Sequence, residues 1–296
     1  MPTQPPSSDF EAQQHDQQII VPCMRYTFTE LAAIYNETRV DYIVPMPMNA
    51  RRMEEYVRYY DIDLDASPVA LNSADEPLGI AMLGMRKQRA WVTRLGVIPY
   101  RRGRKIGQLL MENLLKKARQ QQATLVQLEV IKGNEPAYRL FTKLGFAETR
   151  ELLIVRRPPA PLSPVPHLDV AAVTPLTEEQ IIAHLVLYPA GASWVEEARS
   201  VLQAGSLKGL EVTLTDGTQG WVIFQCTAVQ IAHVVFGPAE GLTEDLVHAL
   251  LYHMHKQFPR HDTKVENIPL HGLMWPAYQR LHYVESFRRI EMVLNL

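Results

Sequence analysis

The sequence predicts an α/β fold made of two related halves. Its hydrophobic period changes from about two to about 3.6 after Pro99, as expected where strands give way to an amphipathic helix. The run RRPPAPLSPVPHLD near the middle of the 296 residues is rich in proline and predicts a semi-rigid spacer. A shift of 137 positions aligns Glu129 with Glu266 and Leu144-Gly145-Phe146 with Leu281-His282-Tyr283, which indicates a duplicated unit.

The first elements follow a tail with little apolar content. Residues 1–18 are rich in Pro, Ser and Gln, and we expect them to be disordered because they bury too little surface to offset chain entropy. Order is predicted to begin at IIVPCMRY, followed by a helix from about Thr29 and a second from about Ala50 to Tyr60. The segments SPVALN, LGIAMLGMR and AWVTRLGVI then indicate three consecutive strands separated by polar turns.

After Pro99 the pattern predicts helix, strand, helix and strand. The apolar face of the first helix consists of Ile106, Leu109, Leu110, Leu114, Leu115 and Ala118. TLVQLEVI is a strand, and the short helix after it has Pro136 in its first turn and stops at Gly145. GFAETRELLIVRR is the returning strand. The predicted segments are a tail (1–18), a first domain (19–157), a Pro-rich linker (158–168) and a second domain (169–296).

The composition excludes several classes of function. With 30 basic and 32 acidic residues the net charge is -2, so nothing favours nucleic-acid or membrane binding overall. Cys23 and Cys226 lie far apart without metal-ligand spacing, which fits a reducing cytosol. No apolar run approaches the roughly 20 residues that span a bilayer, and no secretory signal begins the chain, so we predict a cytoplasmic protein. The histidines of the second half show no HExxH spacing, and no metal is predicted.

The segment LGVIPYRRGRKIGQLLMENLL joins a strand, a basic glycine-containing loop and the start of a helix. Free amides at a helix N-terminus, together with the positive end of its dipole, form an anion site. Gly103 and Gly107 allow the backbone to approach a ligand closely, and Arg101, Arg102 and the neighbouring Arg104 and Lys105 add charge that matches a diphosphate. The alternative is a basic turn that only caps an amphipathic helix.

The loop and the segment downstream of it resemble the two signature regions of the GNAT superfamily of N-acetyltransferases. The first region, R/Q-x-x-G-x-G/A after a strand ending in V-x-P, is matched by Val97, Pro99, Arg102 and Gly107. Lys105 departs from it, because it stands where the first signature glycine is expected. The second region is matched in LEVIKGNEPAYRLFTKLGF by Asn134, Ala137, Leu140, Gly145 and Phe146. The resemblance extends over roughly residues 20–156.

This resemblance implies tandem GNAT-like domains, each with a mixed, mostly antiparallel sheet flanked by helices. It implies acetyl-CoA as co-substrate, without a metal, and a pantetheine arm that pairs with the backbone around Leu95, Gly96 and Val97. The remaining cofactor contacts that it implies are Arg102, Gly103, Arg104, Lys105, Ile106, Gly107, Gln108, Asn134 and Phe141.

Acetyl transfer to an amine requires the amine in its neutral form, although alkyl amines titrate near pH ~10. Glu129 is the candidate base, since the matching glutamate of the L-E-V strand is assigned this role in the ribosomal-protein alanine acetyltransferases of the superfamily; alternatively it is a solvent-facing strand residue. The tyrosine that usually acts as acid is replaced by Phe141. Tyr138, one helical turn earlier, is a second candidate acid, although a packing role is the simpler explanation.

The resemblance also places the acceptor pocket at the first two helices and their connection. The residues it indicates are Tyr42, Met46, Met48 and Tyr56, for which a role in the core is the alternative. In the second half the loop equivalent to the phosphate loop carries Glu240, Glu244 and Asp245, whose charges would repel a pyrophosphate. We therefore expect the second half to keep the fold without binding the cofactor, either in a monomer with an internal pseudo-dimer or in a homodimer.

Three functions fit the sequence. The first is a GNAT N-acetyltransferase that moves an acetyl group from acetyl-CoA to a small-molecule or protein amine by direct attack in a ternary complex. The second is a non-catalytic or slow acyl-CoA-binding sensor, which Lys105 and Phe141 favour. The third is an interaction protein that binds no cofactor, and the matches at Arg102, Gly107 and Asn134 speak against it.

Overall fold

The computed structural model describes residues 18–162, 169–189 and 191–296. The predicted disordered tail, apart from Gln18, lies outside these ranges, as do residues 163–168 of the predicted linker. No helix in the described part of the chain is both long and apolar enough to cross a bilayer.

The two halves contain the same elements in the same order. The first half consists of β1 (Ile19–Pro22), α1 (Phe28–Glu37), α2 (Ala50–Tyr59), β2 (Pro68–Leu71), β3 (Pro77–Arg86), β4 (Arg89–Val97), α3 (Ile106–Gln120), β5 (Leu125–Ile131), α4 (Glu135–Lys143) and β6 (Ala147–Arg157). The second half consists of β7 (Val170–Pro175), α5 (Glu178–Val186), α6 (Ala198–Ala204), β8 (Leu207–Leu214), β9 (Gln219–Cys226), β10 (Gln230–Gly237), α7 (Glu244–Gln257), β11 (Asp262–Pro269), α8 (Met274–Arg280) and β12 (Val284–Asn295). This arrangement confirms the predicted mixed α/β fold in two related units.

The described strands form one continuous sheet in the order β1-β2-β3-β4-β5-β12-β6-β11-β10-β9-β8-β7. The halves exchange their last strands, because β12 lies between β5 and β6 while β6 lies between β12 and β11. Leu152, Leu153, Ile154 and Val155 of β6 are all fully buried, as expected for a central strand that is covered on both faces. Neither half therefore completes its own sheet.

Neighbouring parallel strands separate in the same way in each half. β4 pairs with β5 only from Arg89↔Leu125 to Val92↔Leu128 and then diverges from it. A bulge against β3 lies at this point, where Arg94 adopts a left-handed φ of 54°. In the second half β10 pairs with β11 over a still shorter stretch, and His233 has a φ of 49° at the corresponding bulge.

Helix α3 covers the sheet of the first half with the apolar face that the sequence predicts. Ile106, Leu110, Leu114, Leu115 and Ala118 are buried, and Leu109 is half-buried at the edge of this face. Their packing against β2, β3 and β4 fixes the start of the helix just beyond the open end of β4. The predicted phosphate loop therefore leads directly to the cleft between β4 and β5.

Candidate functional site

The diverging ends of β4 and β5 enclose a cavity of about 160 Å³, which we call the cleft. Thr93, Arg94 and Leu95 line it from β4, and Glu129 and Val130 line it from β5. Strand backbone that has lost its parallel partner keeps unpaired hydrogen-bonding groups, so an extended ligand can pair there in place of a strand.

Two backbone carbonyl groups on the open side of β4, which is the edge that faces the cleft rather than β3, accept hydrogen bonds from arginine side chains. Arg39 donates through Nη2 to the oxygen of Leu95 (2.9 Å), and Arg102 donates through Nε to the oxygen of Val97 (3.2 Å). A carbonyl oxygen has two lone pairs, so each of these groups retains capacity for a ligand amide. The backbone that the sequence assigns to cofactor pairing therefore lies on the open side of β4.

Glu129 is half-buried in the cleft and is not the solvent-facing strand residue of the alternative interpretation. Its Oε2 accepts a hydrogen bond from Nε1 of Trp91 (2.7 Å), and its Oε1 has no partner among the described residues. Burial raises the pKa of Glu129 to about 7, against the opposing effects of Arg289 and of the Trp91 hydrogen bond. The carboxyl can therefore exchange a proton near neutral pH.

The second half contributes charged groups to this site. Arg289 of the exchanged strand β12 lines the cleft and donates through Nη1 to Oε2 of Glu266 (2.9 Å) and to Oδ1 of Asn267 (3.0 Å). Glu266 also pairs through Oε1 with Lys264 (2.7 Å). Burial acts to raise the pKa of Glu266, but Lys264 and Arg289 together hold it well below its ordinary value. Glu266 is thus a permanent carboxylate with both oxygens occupied.

The loop before α3 leaves the N-terminus of this helix uncapped. Lys105 is the N-cap residue in a left-handed conformation (φ 60°, ψ 13°), and its side chain accepts no hydrogen bond from the first turn. This conformation explains why glycine is expected at this position, and Gly103 also has a positive φ of 80°. The amides of the first turn can therefore receive an anion.

Arg102 forms an ion pair with a residue outside the loop. Its guanidinium forms a bidentate ion pair with Asp41 (2.7 and 2.8 Å), beyond α1, in addition to its bond to Val97. The pairing lowers the pKa of Asp41, chiefly through the hydrogen bonds from Arg102. Arg102 thus ties the connection between α1 and α2 to the end of β4, next to the loop rather than inside it.

The equivalent helix of the second half, α7, has a capped first turn that carries two acidic side chains and so offers no anion site. Thr243 caps α7 by accepting a hydrogen bond from the amide of Leu246 (3.2 Å). Glu244 and Asp245 occupy the first turn, and both pair with Arg280 (3.3 and 2.7 Å). A cap together with two carboxylates removes the features that make the start of α3 an anion site.

The other predicted cofactor and catalytic residues separate into two groups. Asn134 and Phe141 line the cleft, and Asn134 caps α4 and donates to the hydroxyl of Tyr42 (3.3 Å). Tyr138 is not among the residues that line the cleft, because its hydroxyl donates to Glu148 (2.5 Å) on the outer side of α4. Ile106, Gly107 and Gln108 lie in the first turn of α3, beyond the lining of the cleft.

A larger cavity of about 380 Å³ lies between the two halves, and we call it the inter-half cavity. Met46, Met48 and Tyr56 line it from the first half, while Ala232 and His233 line it from the second. The fourth predicted acceptor residue, Tyr42, lines the cleft instead. The residues that line both cavities, and so mark their junction, are Met46, Tyr56, Tyr60, Arg94, Val195, Glu266 and Arg289.

Sequence reasoning missed Trp91, Arg94 and Arg289, which belong to neither signature region. The repeat did pair Glu266 with Glu129, but it gave no indication that both residues line the same cleft. Among the described residues no three His, Cys, Asp or Glu side chains come together as metal ligands would. His248 and His255 are instead buried in the core beneath α7.

Comparison with known proteins agrees with this geometry. Residues 31–146 match the model of the Acetyltransferase (GNAT) family and form a GNAT domain. No curated protein matches the sequence significantly.

Solved structures similar to this one include tandem GNAT proteins. A tandem GNAT protein from the clavulanic acid biosynthesis pathway is 16% identical, with 94% of this chain and 98% of that one covered and a TM-score of 0.63. A GCN5-related N-acetyltransferase from Sphaerobacter thermophilus is 17% identical, with 94% and 95% covered and a TM-score of 0.62. A fungal multi-domain GH3 beta-N-acetylglucosaminidase that contains a glucosamine N-acetyltransferase region is 14% identical, with 94% and 38% covered and a TM-score of 0.73. At these identities the likeness shows the fold alone.

Proposed function

Because residues 31–146 form a GNAT domain, we propose that the protein transfers an acetyl group from acetyl-CoA to the amine of a small molecule. The observation that carries the proposal is Glu129, a carboxyl with a pKa of about 7 in the cleft between β4 and β5. The inter-half cavity of about 380 Å³ supports a small-molecule acceptor, because residues of both halves line it.

The residues at the cleft fit acetyl-CoA from end to end. The first-turn amides of α3 and the side chain of Lys105 would hold the pyrophosphate, while Leu95, Gly96 and Val97 would pair with the pantetheine arm. Asn134 and Phe141 would contact the arm and the acyl end from α4. We propose that Arg102 acts mainly by keeping the α1–α2 connection in place through Asp41.

The attacking nitrogen starts as an ammonium group and loses two protons in the reaction. Glu129 takes the first, directly or through a water molecule, and the neutral amine attacks the thioester carbonyl. The N–C bond forms and the C–S bond breaks, the nitrogen gives its second proton to water, and coenzyme A leaves as a thiolate. Phe141 has no proton to donate, so the thiolate takes its proton from water, which is the mechanistic consequence of the missing tyrosine.

The second function supported by an observation is that of an acyl-CoA sensor. Phe141 is 5% exposed and stands where the family places its acid, while Tyr138 is turned toward Glu148. A sensor would keep the cofactor site and lack turnover. Acetyl-CoA binding without thiol release across a panel of amines would identify it.

The replacement Glu129→Gln tests the catalytic proposal. It removes the base while retaining shape, so we expect the rate of thiol release from acetyl-CoA to fall by about 100-fold or more with the best amine of a panel. Acetyl-CoA binding, measured by isothermal titration, should remain within about twofold of the original value. The matched control is Glu148→Gln, an exposed residue of β6 that does not line the cleft, and this change should leave turnover unchanged. Undiminished turnover in Glu129→Gln would remove this residue as the base.

A further inference from the structure

Arg94 is a half-buried cation at the junction of the cleft and the inter-half cavity. It lies at the point where β4 leaves β5, and its side chain lines both the cleft and the inter-half cavity. The left-handed φ of 54° at the bulge is an uncommon conformation for a residue with a side chain. Strain of this kind persists where the surrounding structure holds it in place, often at functional sites.

The contacts of Arg94 are aromatic rather than ionic. Its guanidinium lies 4.1 Å from the ring centroid of Tyr56 and 5.3 Å from that of Tyr35. Nη1 donates to the hydroxyl of Tyr35 (3.1 Å), and Nε has no acceptor within the part of the chain that the structure describes. In that same part, no carboxylate oxygen lies within 4.0 Å of the guanidinium.

The other arginines that line the cleft differ in their partners. Arg289 pairs with Glu266 (2.9 Å), whereas Arg39 donates to the backbone oxygen of Leu95 (2.9 Å). Arg94 interacts with Glu266 at longer range, but among the described residues no carboxylate contacts its guanidinium directly. Stacking on aromatic rings offsets only part of the cost of burying a charge, so an anion brought to this point would be stabilised by Arg94.

The nearby acids cannot supply that anion. Both oxygens of Glu266 are occupied by Lys264 and Arg289, and Glu129 has no oxygen within 4.0 Å of the Arg94 guanidinium. The anionic groups of acetyl-CoA would lie at the start of α3, whereas its acyl end carries no negative charge. The remaining source of an anion at this junction is the acceptor molecule.

We propose that Arg94 binds a carboxylate of the acceptor, so that the acceptor is an amino acid or a molecule with the same pairing of amine and carboxylate. The guanidinium offers two parallel N–H groups that match the geometry of a carboxylate. Arg94 sits at the junction of the two cavities, within reach of a ligand whose amine faces Glu129 in the cleft. This inference rests on the proposed acetyltransferase function and specifies its substrate class.

The test compares carboxylates with their neutral amides as ligands, without turnover. Isothermal titration in the presence of saturating coenzyme A would use N-acetylglycine, N-acetylleucine and N-acetylphenylalanine, each beside its C-terminal carboxamide. We expect at least one acid to bind about tenfold or more tightly than its amide, since hydrogen bonds to charged groups contribute at this level. Arg94→Met should bring this ratio close to one. Arg58→Met, which removes an exposed cation of α2 outside both cavities, should leave the ratio unchanged.

Further measurements separate the outcomes. Acetyl-CoA binding by Arg94→Met reports that the variant is folded, and Arg94→Lys, which keeps the charge, should retain part of the preference. Equal binding of acids and amides by the original protein, or a ratio that survives in Arg94→Met, would overturn the inference. Weaker acetyl-CoA binding with an unchanged ratio would overturn it too, because Arg94 would then serve the cofactor. If the original protein acetylated none of the amines but still bound the acids more tightly than their amides, only the proposed acetyltransferase function would be contradicted.

Discussion

The carboxyl of Glu129 is tuned by opposing contacts. Burial raises its pKa, whereas Arg289 and the indole of Trp91 lower it, and the balance is about 7. A base is most effective when its pKa lies near the working pH, because it is then both ionised and able to hold a proton. Substitution of Trp91 or of Arg289 would remove one of the two contacts that lower the pKa of Glu129.

Trp91→Phe tests this balance through the pH dependence of the rate. The indole hydrogen bond favours the charged carboxylate, so its loss raises the pKa of Glu129. The ionised form is the active base, and the rate is lost as pH falls through this pKa. We expect the acidic limb of kcat/KM to move toward higher pH by roughly one pH unit, since a hydrogen bond to a charged group contributes about 1.5 kcal/mol.

The pH profile from 5.5 to 9, measured by thiol release, checks this expectation in steps of about 0.5 pH units. Trp275→Phe, which changes a half-buried indole of the second half outside both cavities, is the matched control. An acidic limb that coincides in the original protein and in Trp91→Phe would show that the rate does not report the ionisation of Glu129.

Residues that line the cleft could be predicted from the sequence where they lie within a local motif. Glu129, Asn134 and Phe141 lie within two adjacent elements, and all three line the cleft. Arg289 was missed because it reaches the cleft through the pairing of β12 with β5, two strands that belong to different halves of the chain. The sequence around Arg289 gives no indication that this side chain lines the cleft.

At the scale of elements, the starts of α3 and α7 explain why the two halves differ. Each helix follows the open strand of its half, but Thr243 and two acids close α7, whereas α3 begins at Lys105 without a cap. The proposed phosphate site at the start of α3 thus depends on the free amides of the first turn together with the nearby cation Lys105.

Lys105→Gln tests the contribution of that cation. We expect acetyl-CoA to bind about fivefold more weakly, corresponding to roughly 1 kcal/mol, with a smaller dependence on salt concentration. Lys105→Gly also removes the charge but suits the left-handed φ of 60°, so it should additionally raise the melting temperature. Lys116→Ala, an exposed lysine further along α3, is the control for net charge. Equal affinity and salt dependence in all three variants would place the pyrophosphate elsewhere.

The order of the elements was predictable because hydrophobic period and turn chemistry are local properties. The exchange of β6 and β12 was not, because the run Leu152–Val155 of β6 is apolar on both faces and such a run fits between any two neighbouring strands. The constant offset of 137 positions was the closest signal, since equivalent strands are the ones that can take each other's place.

At the scale of the whole molecule, the second half completes the site of the first. Arg289 and Glu266 line the cleft, and Trp194 stacks on Trp91 with ring centroids 5.8 Å apart. Trp194 is fully buried and donates through Nε1 to the oxygen of Tyr60 (2.9 Å). The second half therefore supports the surroundings of Glu129 and encloses the inter-half cavity.

The exchanged strands lead to a prediction about separated halves. A fragment of residues 1–162 lacks β12, so both β5 and β6 lose the partner that lies between them, and Trp91 loses its stacking partner. We expect this fragment to be insoluble or unfolded when produced alone, because unpaired apolar strands associate. Co-expression with residues 163–296 should restore a soluble complex that binds acetyl-CoA, as measured by co-purification and isothermal titration. A monomeric fragment 1–162 with a cooperative melting transition and undiminished acetyl-CoA affinity would show that the predicted domain 19–157 folds independently and that the exchange is dispensable.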